Sequence, residues 1–600
     1  MKLTKEDIDK VRHIEGFPIG KDEDIIALSN PPYYTACPNP FIEDFIKEHG
    51  KPYDEATDDY HREPFAADVS EGKNDPIYNA HSYHTKVPYK AIMRYILHYT
   101  EPGDIVFDGF CGTGMTGVAA QMCENPDPDF KAKIEAEMPY VKWGARKAIL
   151  NDLSPAAAFI AYNYNTPVDV AEFQREATRI LEECEKELGW MYETRHVIDG
   201  KLQTGIDGNP IIGRINYTVW SDVFICPTCS NEIVFWDAAV DKEKGKVNNT
   251  FYCSHCRSEL AKRSCVRAQE THFDTRLNEF VTMAKQVPVL INYSVGKKRF
   301  EKKPDEFDLA LIEKINNIEI PYWYPTDELP NGYNTEQPKR SHGITHVHQF
   351  YTKRNLAVMA ALVNNSSKSH YRHTLNFMLS SYNLTHSTLM TRIIFKANNN
   401  KPILTGYQSG TLYISSLPVE KNIFNGIRNM KIELICDALK QIKYNSFVTN
   451  QSTNQLINLP SNALDYIFTD PPFGSNLNYS ELSFLWEAWL KVFTNQKPEA
   501  IINAVQGKGL LEYQSLMTQC FSECYRILKP GRWMTVEFHN SQNSVWNAIQ
   551  ESLQRSGFII ADVRTLDKQQ GSFKQVTTTS AVKQDLVISA YKPKESFKRE

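Results

Sequence analysis

The chain has 600 residues, of which 42% are hydrophobic, 23% charged and 12% aromatic. That balance suits a soluble protein with two to four cores and excludes collagen-like, mucin-like and Gln-rich architectures. Net charge is −5, yet charge is segregated: Glu336 to Lys401 holds nine basic residues and one acid, Arg257 to Lys303 eleven basic residues and five acids, and Phe41 to Ala80 eleven acids and four basic residues. Two basic stretches in an acidic chain suggest a localised surface for a polyanion.

In chain order, "MKLTKEDIDKVRHIEG" is too charged for a signal peptide, and no apolar run approaches the roughly 18 residues of a membrane span, so a cytoplasmic protein away from membranes is expected. "ALSNPPYYTACPNPF" follows at 27–41, carrying Asn30-Pro31-Pro32-Tyr33. About fifty acidic, Pro-rich residues lead to "HSYHTKVPYKAIMRYILHY", a helix preceded by His84, Thr85 and Lys86. "PGDIVFDGFCGTGMTGVAAQMC" then reads as turn, buried strand, Gly-rich loop and helix. That order brings backbone N–H groups at a helix N-terminus to a ligand, with Gly112 and Gly114 permitting close approach. The third glycine of a dinucleotide fingerprint is missing, which disfavours a nicotinamide cofactor. "ARKAILNDLSPAAAFIA" is a second strand ending in Asp152, suited to a bidentate grip on ribose hydroxyls. Its distance of 44 residues from Asp108 is long, and "ENPDPDFKAKIEAEMPYVKWG" reads as an insertion carrying the excess.

Further on, "VFICPTCSNEIVFW" and "FYCSHCRSEL" give Cys226-x2-Cys229, 23 intervening residues and Cys253-x2-Cys256. This is zinc-ribbon spacing: four thiolates on paired turns fit tetrahedral zinc, with His255 able to replace one and a redox pair as the alternative. Few cysteines otherwise and no disulfide-scaffold pattern agree with a reducing compartment. His342, His346 and His348 lie close together, either as a second metal site or as polar, nucleic-acid-facing residues. "FYTKRNLAVMAALV" is helical, with Lys353 and Arg354 placed for phosphate contact. Trp486 and Trp489 read as core packing. Near the end, "LDYIFTDPPFGSNLNYSEL" carries a second Pro-Pro motif, Asp470-Pro471-Pro472-Phe473, followed by alternating helices and strands.

"HTKVPYKAI" with "PGDIVFDGFCGTGMTG" resembles the cofactor motifs of S-adenosylmethionine-dependent DNA amino-methyltransferases, with Gly109 where that family commonly has proline. The resemblance implies that Asp108, Phe110, Cys111, Gly112, Thr113 and Gly114 hold the methionine part of the cofactor. It also implies that Asp152 holds the ribose and that Thr85 or Lys86 lies near the carboxylate. In such a fold the Pro-Pro motif ends the fourth strand of a seven-stranded sheet, so further strands must follow it. They follow Phe473 and not Tyr33, which makes Asp470 the catalytic candidate and Asn30-Tyr33 a structural or lid-forming loop. Asp470 and the carbonyl of Pro471 would each accept an N–H of an aromatic amine, and Phe473 would stack on a flipped base. The acid often found near the start of the fourth strand's lead-in is replaced by something like Gln451 or Ser452.

With "TDPPFGSNLNYSELSFLWEAWL", "CYRILKPGRWMTVEFHNS" and "GITHVHQFYTKRNL" added, the pattern resembles a bacterial family of zinc-ribbon-containing adenine-specific DNA methylases. The expectation is therefore an α/β protein: a Rossmann-like seven-stranded core split by a large insertion bearing a zinc ribbon and a target-recognition region. Residues 1–80 form an acidic extension, 81–175 and 436–600 the two core halves, and 176–435 the insertion, its ribbon at about 220–262. The expected activity is methylation of double-stranded DNA at adenine N6, with structural zinc. The resemblance further implies a restriction–modification or phage-defence setting with other subunits. Asp-Pro-Pro-Phe favours adenine N6 over cytosine N4. Rival readings are an RNA amino-methyltransferase and a catalytically silent DNA-binding subunit.

Overall fold

The computed structural model describes residues 1–395, 403–540, 542–568 and 585–597. Lys396 and Lys401 of the second basic stretch lie outside the described residues. The chain forms two units, Met1–Ala171 with Leu434–Glu600, and Glu172–Glu433.

The first unit is built on an eight-stranded sheet. Its strands are β1 (Val69–Ser70), β2 (Ile105–Asp108), β3 (Lys147–Asp152), β4 (Phe447–Asn450), β5 (Leu464–Thr469), β6 (Leu528–Phe538), β7 (Ile559–Asp567) and β8 (Asp585–Tyr591), in the spatial order β1-β7-β8-β6-β5-β2-β3-β4. Strands β2 and β5, at the centre of the sheet, are mostly apolar because they are buried on both faces, the mark of a parallel sheet. β8 runs antiparallel to both β6 and β7. One strand more than expected is present: β1, from the acidic extension, pairs in parallel with the edge of β7. The acids of that extension neutralise the core's cations: Asp58 binds Arg532 at 2.7 Å and Lys594 at 2.9 Å, and Glu71 binds Arg94 at 2.9 Å.

Helix α1 (Tyr89–Tyr99) precedes β2, and α2 (Met115–Met122) follows it. Helix α3 (Pro155–Tyr164) follows β3, started by Ser154, whose hydroxyl accepts the Ala157 N–H, and by Pro155 at its first turn. After β5 come α4 (Tyr479–Leu490) and α5 (Leu510–Ile527), and α6 (Asn543–Arg555) lies between β6 and β7. Trp486 and Trp489 are buried on α4, as core residues. From β2 the chain steps outward to β3 and β4, then returns to β5 on the other side of β2. The switch point therefore lies between β2 and β5, with Asp108, Asp152 and Asp470 at the same, carboxyl-terminal edge. The stretch that the sequence reading takes as an insertion before β3 contains a helix, Pro128–Glu137, capped by Asp127.

Asn30-Pro31-Pro32-Tyr33 lies at the opposite side of the sheet from β1. The Tyr33 carbonyl accepts the Val448 N–H of edge strand β4, Tyr34 bridges to Val448, and the Asn39 side chain donates to the carbonyls of Pro32 and Val448. The segment seals an edge that would otherwise leave ladder groups unpaired.

In the second unit the long strand Ile212–Ile225 is the hub, pairing with Gln286–Val295, Val419–Lys421, Glu193–Arg195, Glu232–Val234 and Val266–Arg267. Several sequence expectations are corrected here. Arg354 does not face phosphate: it is 3% exposed, with its guanidinium 2.6 Å from the Glu420 carboxylate. His342 and His348 are buried against separate acids, Asp222 at 3.1 Å and Asp274 at 2.5 Å, while His346 meets the Thr345 hydroxyl. They do not converge on a metal; among the described residues the group able to hold one is the four cysteines. Lys339 is likewise engaged, by the carbonyls of Leu329 and Pro330. No described helix is long and apolar enough to cross a membrane.

Candidate active site and cysteine cluster

The carboxyl edge of the sheet opens into a cleft of about 920 Å³, mouth included, whose walls come from the loops after β2, β3 and β5. Thr85, Lys86, Asp108, Phe110, Cys111, Gly112, Thr113, Asp152, Asp470 and Pro472 all line it; Gly114, Pro471 and Phe473 do not.

Asp108 braces this edge. Its carboxylate accepts the Phe110 N–H at 3.1 Å and the Thr116 hydroxyl at 2.6 Å, pinning the loop, and the Thr469 hydroxyl at 3.2 Å, tying the loop to β5. Burial lifts its pKa to about 7 against those hydrogen bonds. Gly112 has φ +51° and donates its N–H to Asp152 at 2.9 Å; Asp152 also accepts the Ser154 N–H at 2.9 Å. Burial raises Asp152 to about 6. Asp152 lines the cleft, and a carboxylate has acceptor capacity beyond these backbone bonds for a pair of hydroxyls.

Gly114 serves a different purpose from the one expected. It starts α2 at φ +79°, and a Cβ there would sit 2.7 Å from Asn165 Nδ2 and 2.8 Å from the Ala161 Cβ. It permits packing of the loop on α3 rather than approach of a ligand. Lys86 also departs from expectation: its ammonium is held by the carbonyls of Tyr78 and His81 and lies over the Tyr78 ring at 4.2 Å. Thr85 hydrogen-bonds the Tyr479 hydroxyl.

Asp470 follows β5 directly. Its Oδ1 is buried and receives no N–H or O–H from the described residues. Burial raises its pKa to about 7, with Lys568 pulling the other way. No described donor reaches the Pro471 carbonyl. The loop itself is fixed: the Tyr513 hydroxyl donates to the Pro472 carbonyl at 2.6 Å, and the Asn540 amide to that of Phe473 at 2.9 Å. Asp470 thus presents its carboxyl group to the cleft on a rigid loop, whereas Pro471 stands off the lining. Phe473 is not placed to stack on a base, since it is 5% exposed and packs edge-on against Phe538 at 5.4 Å. Aromatic surface near the cleft comes instead from Tyr479 and from Tyr83, whose ring stacks on Trp486 at 6.1 Å.

The sequence reading missed Tyr83, Tyr479 and Glu499 as wall residues, and Glu537 and Lys568 beneath Asp470. Glu499 stands on the cleft, its carboxylate fixed by the Ser480 N–H and hydroxyl. A lone acid in the strand "WMTVEF" is the signal that marks Glu537, because an ionisable group inside a fully buried strand demands a reason.

In the second unit, one ligand atom from each of Cys226, Cys229, Cys253 and Cys256 lies within 4.8 Å of the others. The two knuckles match: Ser230 and Arg257 take φ of +60° and +65°, and their N–H groups return to the carbonyls of Cys226 and Cys253 at 2.9 and 3.0 Å. The Ser258 hydroxyl contact helps hold Cys256 down at about 6, toward the thiolate. His255 stands outside the group of four, and none of the cysteines forms a disulfide.

An open, mainly parallel α/β sheet with a glycine loop, an acid after the second central strand and an Asp-Pro-Pro turn at the switch point defines a class of ligand-binding α/β proteins. Two segments of the chain, residues 21–126 and 464–600, match the family model described as DNA methylase. Among curated proteins no relative matches. Among solved structures the chain is similar to the [4+2]-cyclase SpnF, at 13% identity and a TM-score of 0.17, covering 26% of this chain and 61% of that one. It is similar also to a 16S rRNA (adenine(1408)-N(1))-methyltransferase from Catenulisporales acidiphilia, at 12% identity and 0.15, over 28% and 72% of the two chains. A third is Haemonchus contortus phosphoethanolamine N-methyltransferase 2, at 11% identity and 0.14, over 28% and 45%. These three likenesses are too partial to bear on function.

Proposed function

We propose that the chain is an S-adenosylmethionine-dependent DNA methyltransferase that modifies an exocyclic base amine, adenine N6, in double-stranded DNA of the cytoplasm. The observation that carries this reading is the position of Asp470-Pro471-Pro472 at the switch point, in the same cleft as the glycine loop and Asp152 and within a segment matching the DNA methylase family. The residues fit the cofactor: Asp152 offers acceptors for ribose hydroxyls, and Phe110, Cys111, Gly112 and Thr113 form the adjoining wall of the cleft. S-adenosylmethionine, when bound, supplies an electrophilic methyl group.

The chain's own contribution is alignment. Asp470 accepts one N–H of the amine and the Pro471 carbonyl the other, which turns the nitrogen lone pair toward the methyl carbon. Asp470 would also be the acceptor for the proton that the amine sheds on methylation. The four cysteines would hold zinc as a folding element of the recognition region.

The test is incubation of the full chain with methyl-labelled S-adenosylmethionine and unmethylated bacterial DNA, beside Asp470→Ala and an RNA control, with nucleosides resolved by mass spectrometry. N6-methyladenine from the native chain alone supports the proposal. Label in RNA, or cofactor binding without product, would replace it with one of the rival readings.

A further inference from the structure

Beneath Asp470 lies a buried ionic cluster that alignment of the amine does not require. In parallel register Thr469 faces Val536, so the next residues of β5 and β6, Asp470 and Glu537, come side by side. Antiparallel pairing of Phe538 with Leu586 brings His539 and Asp585 together in the same way. Lys568, just after β7, joins the two: its ammonium is 2.6 Å from Glu537 Oε1 and 2.8 Å from Asp585 Oδ2, and His539 Nδ1 is 2.7 Å from Asp585 Oδ1. Glu537 is fully buried. Neither Asp470 Oδ1 nor Glu537 Oε2 receives an N–H or O–H from the described residues. The two carboxyl groups lie within hydrogen-bonding reach of each other, a contact that is favourable only when one of them carries a proton.

We propose that Glu537 is a positioning residue for the amino-transfer chemistry: it retains a proton, donates it in a hydrogen bond to Asp470, and so keeps Asp470 ionised to receive the substrate amine. The proposal rests on the methyltransferase reading. Asp470 lines the cleft where the amine is received, whereas Glu537 is fully buried beneath it and off the lining, so the shared proton belongs on Glu537; burial, then the neighbouring Asp470, drive Glu537 well above the ordinary carboxyl range in the same sense. Lys568 is held charged, against burial, by the carboxyl cluster around it, with Asp585 and Asp470 supplying negative charge and Glu537 Oε1 an acceptor, while Asp585 stays ionised because His539 and Lys568 outweigh its burial. Asp108 faces the pair from β2, and Tyr479 from α4. Lys73, Tyr78 and Tyr95 face Glu537 from the acidic extension and α1.

The variants that test it are Glu537→Gln, which preserves a neutral donor of the same shape, and Glu537→Leu, which removes the donor. At neutral pH, Glu537→Gln is expected to keep kcat within about threefold, and Glu537→Leu to lower it about 10- to 100-fold, the worth of a hydrogen bond to a charged group. The native kcat should fall as pH rises and the shared proton leaves; the Gln variant should lose that alkaline limb. A second readout needs no turnover. An acid whose pKa is raised by folding stabilises the fold at low pH and loses that contribution as pH rises through the folded value. Thermal stability of the native chain should therefore drop between weakly acidic and weakly alkaline pH by more than that of Glu537→Gln. Equal rates for Gln and Leu, or an unchanged alkaline limb and an unchanged stability slope in Glu537→Gln, would overturn the proposal. If the native chain makes no methylated base but the stability slopes differ as stated, the proton-sharing pair stands and the methyltransferase reading falls.

Discussion

Replacing Asn30 and Asp470 separately puts the two Pro-Pro motifs into direct competition. The Asn30 side chain donates to the Tyr162 hydroxyl at 2.6 Å, and Tyr34 is fully buried with its ring stacked on Tyr162 at 4.6 Å. Asn30→Ala therefore removes one neutral hydrogen bond, about 1 kcal/mol. Tyr34→Ala empties an aromatic site, about 3–5 kcal/mol. In a unit of roughly 340 residues, with an unfolding entropy near 2.1 cal/mol/K per residue, those costs are about 1–2 °C and about 4–7 °C of Tm. The Tyr34 hydroxyl is buried without a partner among the described residues, so Tyr34→Phe should be neutral or slightly stabilising. None of the three should change kcat per folded molecule by more than about twofold, whereas Asp470→Ala should lower it by about 10²- to 10³-fold with little change in Tm. Calorimetry and single-turnover methyl transfer on the same preparations supply both numbers. Loss of turnover in Asn30→Ala at unchanged Tm, or survival of turnover in Asp470→Ala, would refute the assignment of chemistry to the second motif.

Cys226→Ser or Cys256→Ser should reduce bound zinc from about one per chain to near none by elemental analysis, and lower the Tm of the second unit, since such sites contribute folding energy directly. Arg354→Met should cost about 3–5 kcal/mol by stranding the buried Glu420 carboxylate, seen as a Tm loss with native-like DNA affinity per folded molecule; a phosphate-contact role would produce the reverse. Arg532 and Lys594, against burial, hold the pKa of Asp58 at about 2. Its contribution of about 2 kcal/mol is present above the ordinary carboxyl range, disappears as pH falls through about 2, and is missing at all pH values in Asp58→Asn. Denaturant melts at pH 7 and pH 3 read that difference. Gly114→Ala should weaken cofactor binding measured by equilibrium dialysis, because the new Cβ forces the loop off Ala161 and Asn165.

Elements whose identity depends on local pattern were readable. Buried strands at Ile105–Asp108 and Leu464–Thr469, the helix Tyr479–Leu490 and the cysteine knuckles each follow from a short run of residue types. Roles that depend on tertiary partners were not. Arg354 looks like a surface cation until Glu420, 66 residues away, is folded against it. Gly114 looks like a ligand cradle until α3 is packed beside it, and Phe473 looks free to stack until Phe538 covers it. Glu537 falls between these cases: the strand and its burial were legible, but its neighbour Asp470 becomes visible only when β5 and β6 are set in register.

Register and connectivity also explain how so large an excursion fits within one sheet. The chain leaves the first unit after α3 and returns to form β4, the strand that must pair with β3. At that exit and return, the Ser446 N–H donates to the Asn165 carbonyl at 3.1 Å and the Ser446 hydroxyl to the Asn165 side chain at 3.1 Å. The Asn165 amide in turn donates to the carbonyls of Gly114 and Ala161 at 2.9 Å. The two ends are thus clamped to one another and to the glycine loop, so the sheet sees a short turn, whatever length of chain lies between. Because the same asparagine fixes the cofactor-side loop, Asn165→Ala should loosen both at once. Hydrogen exchange at Gly112–Met115 and at Phe447–Asn450 should rise together in that variant; a rise at only one of them would show that the clamp and the loop are independent.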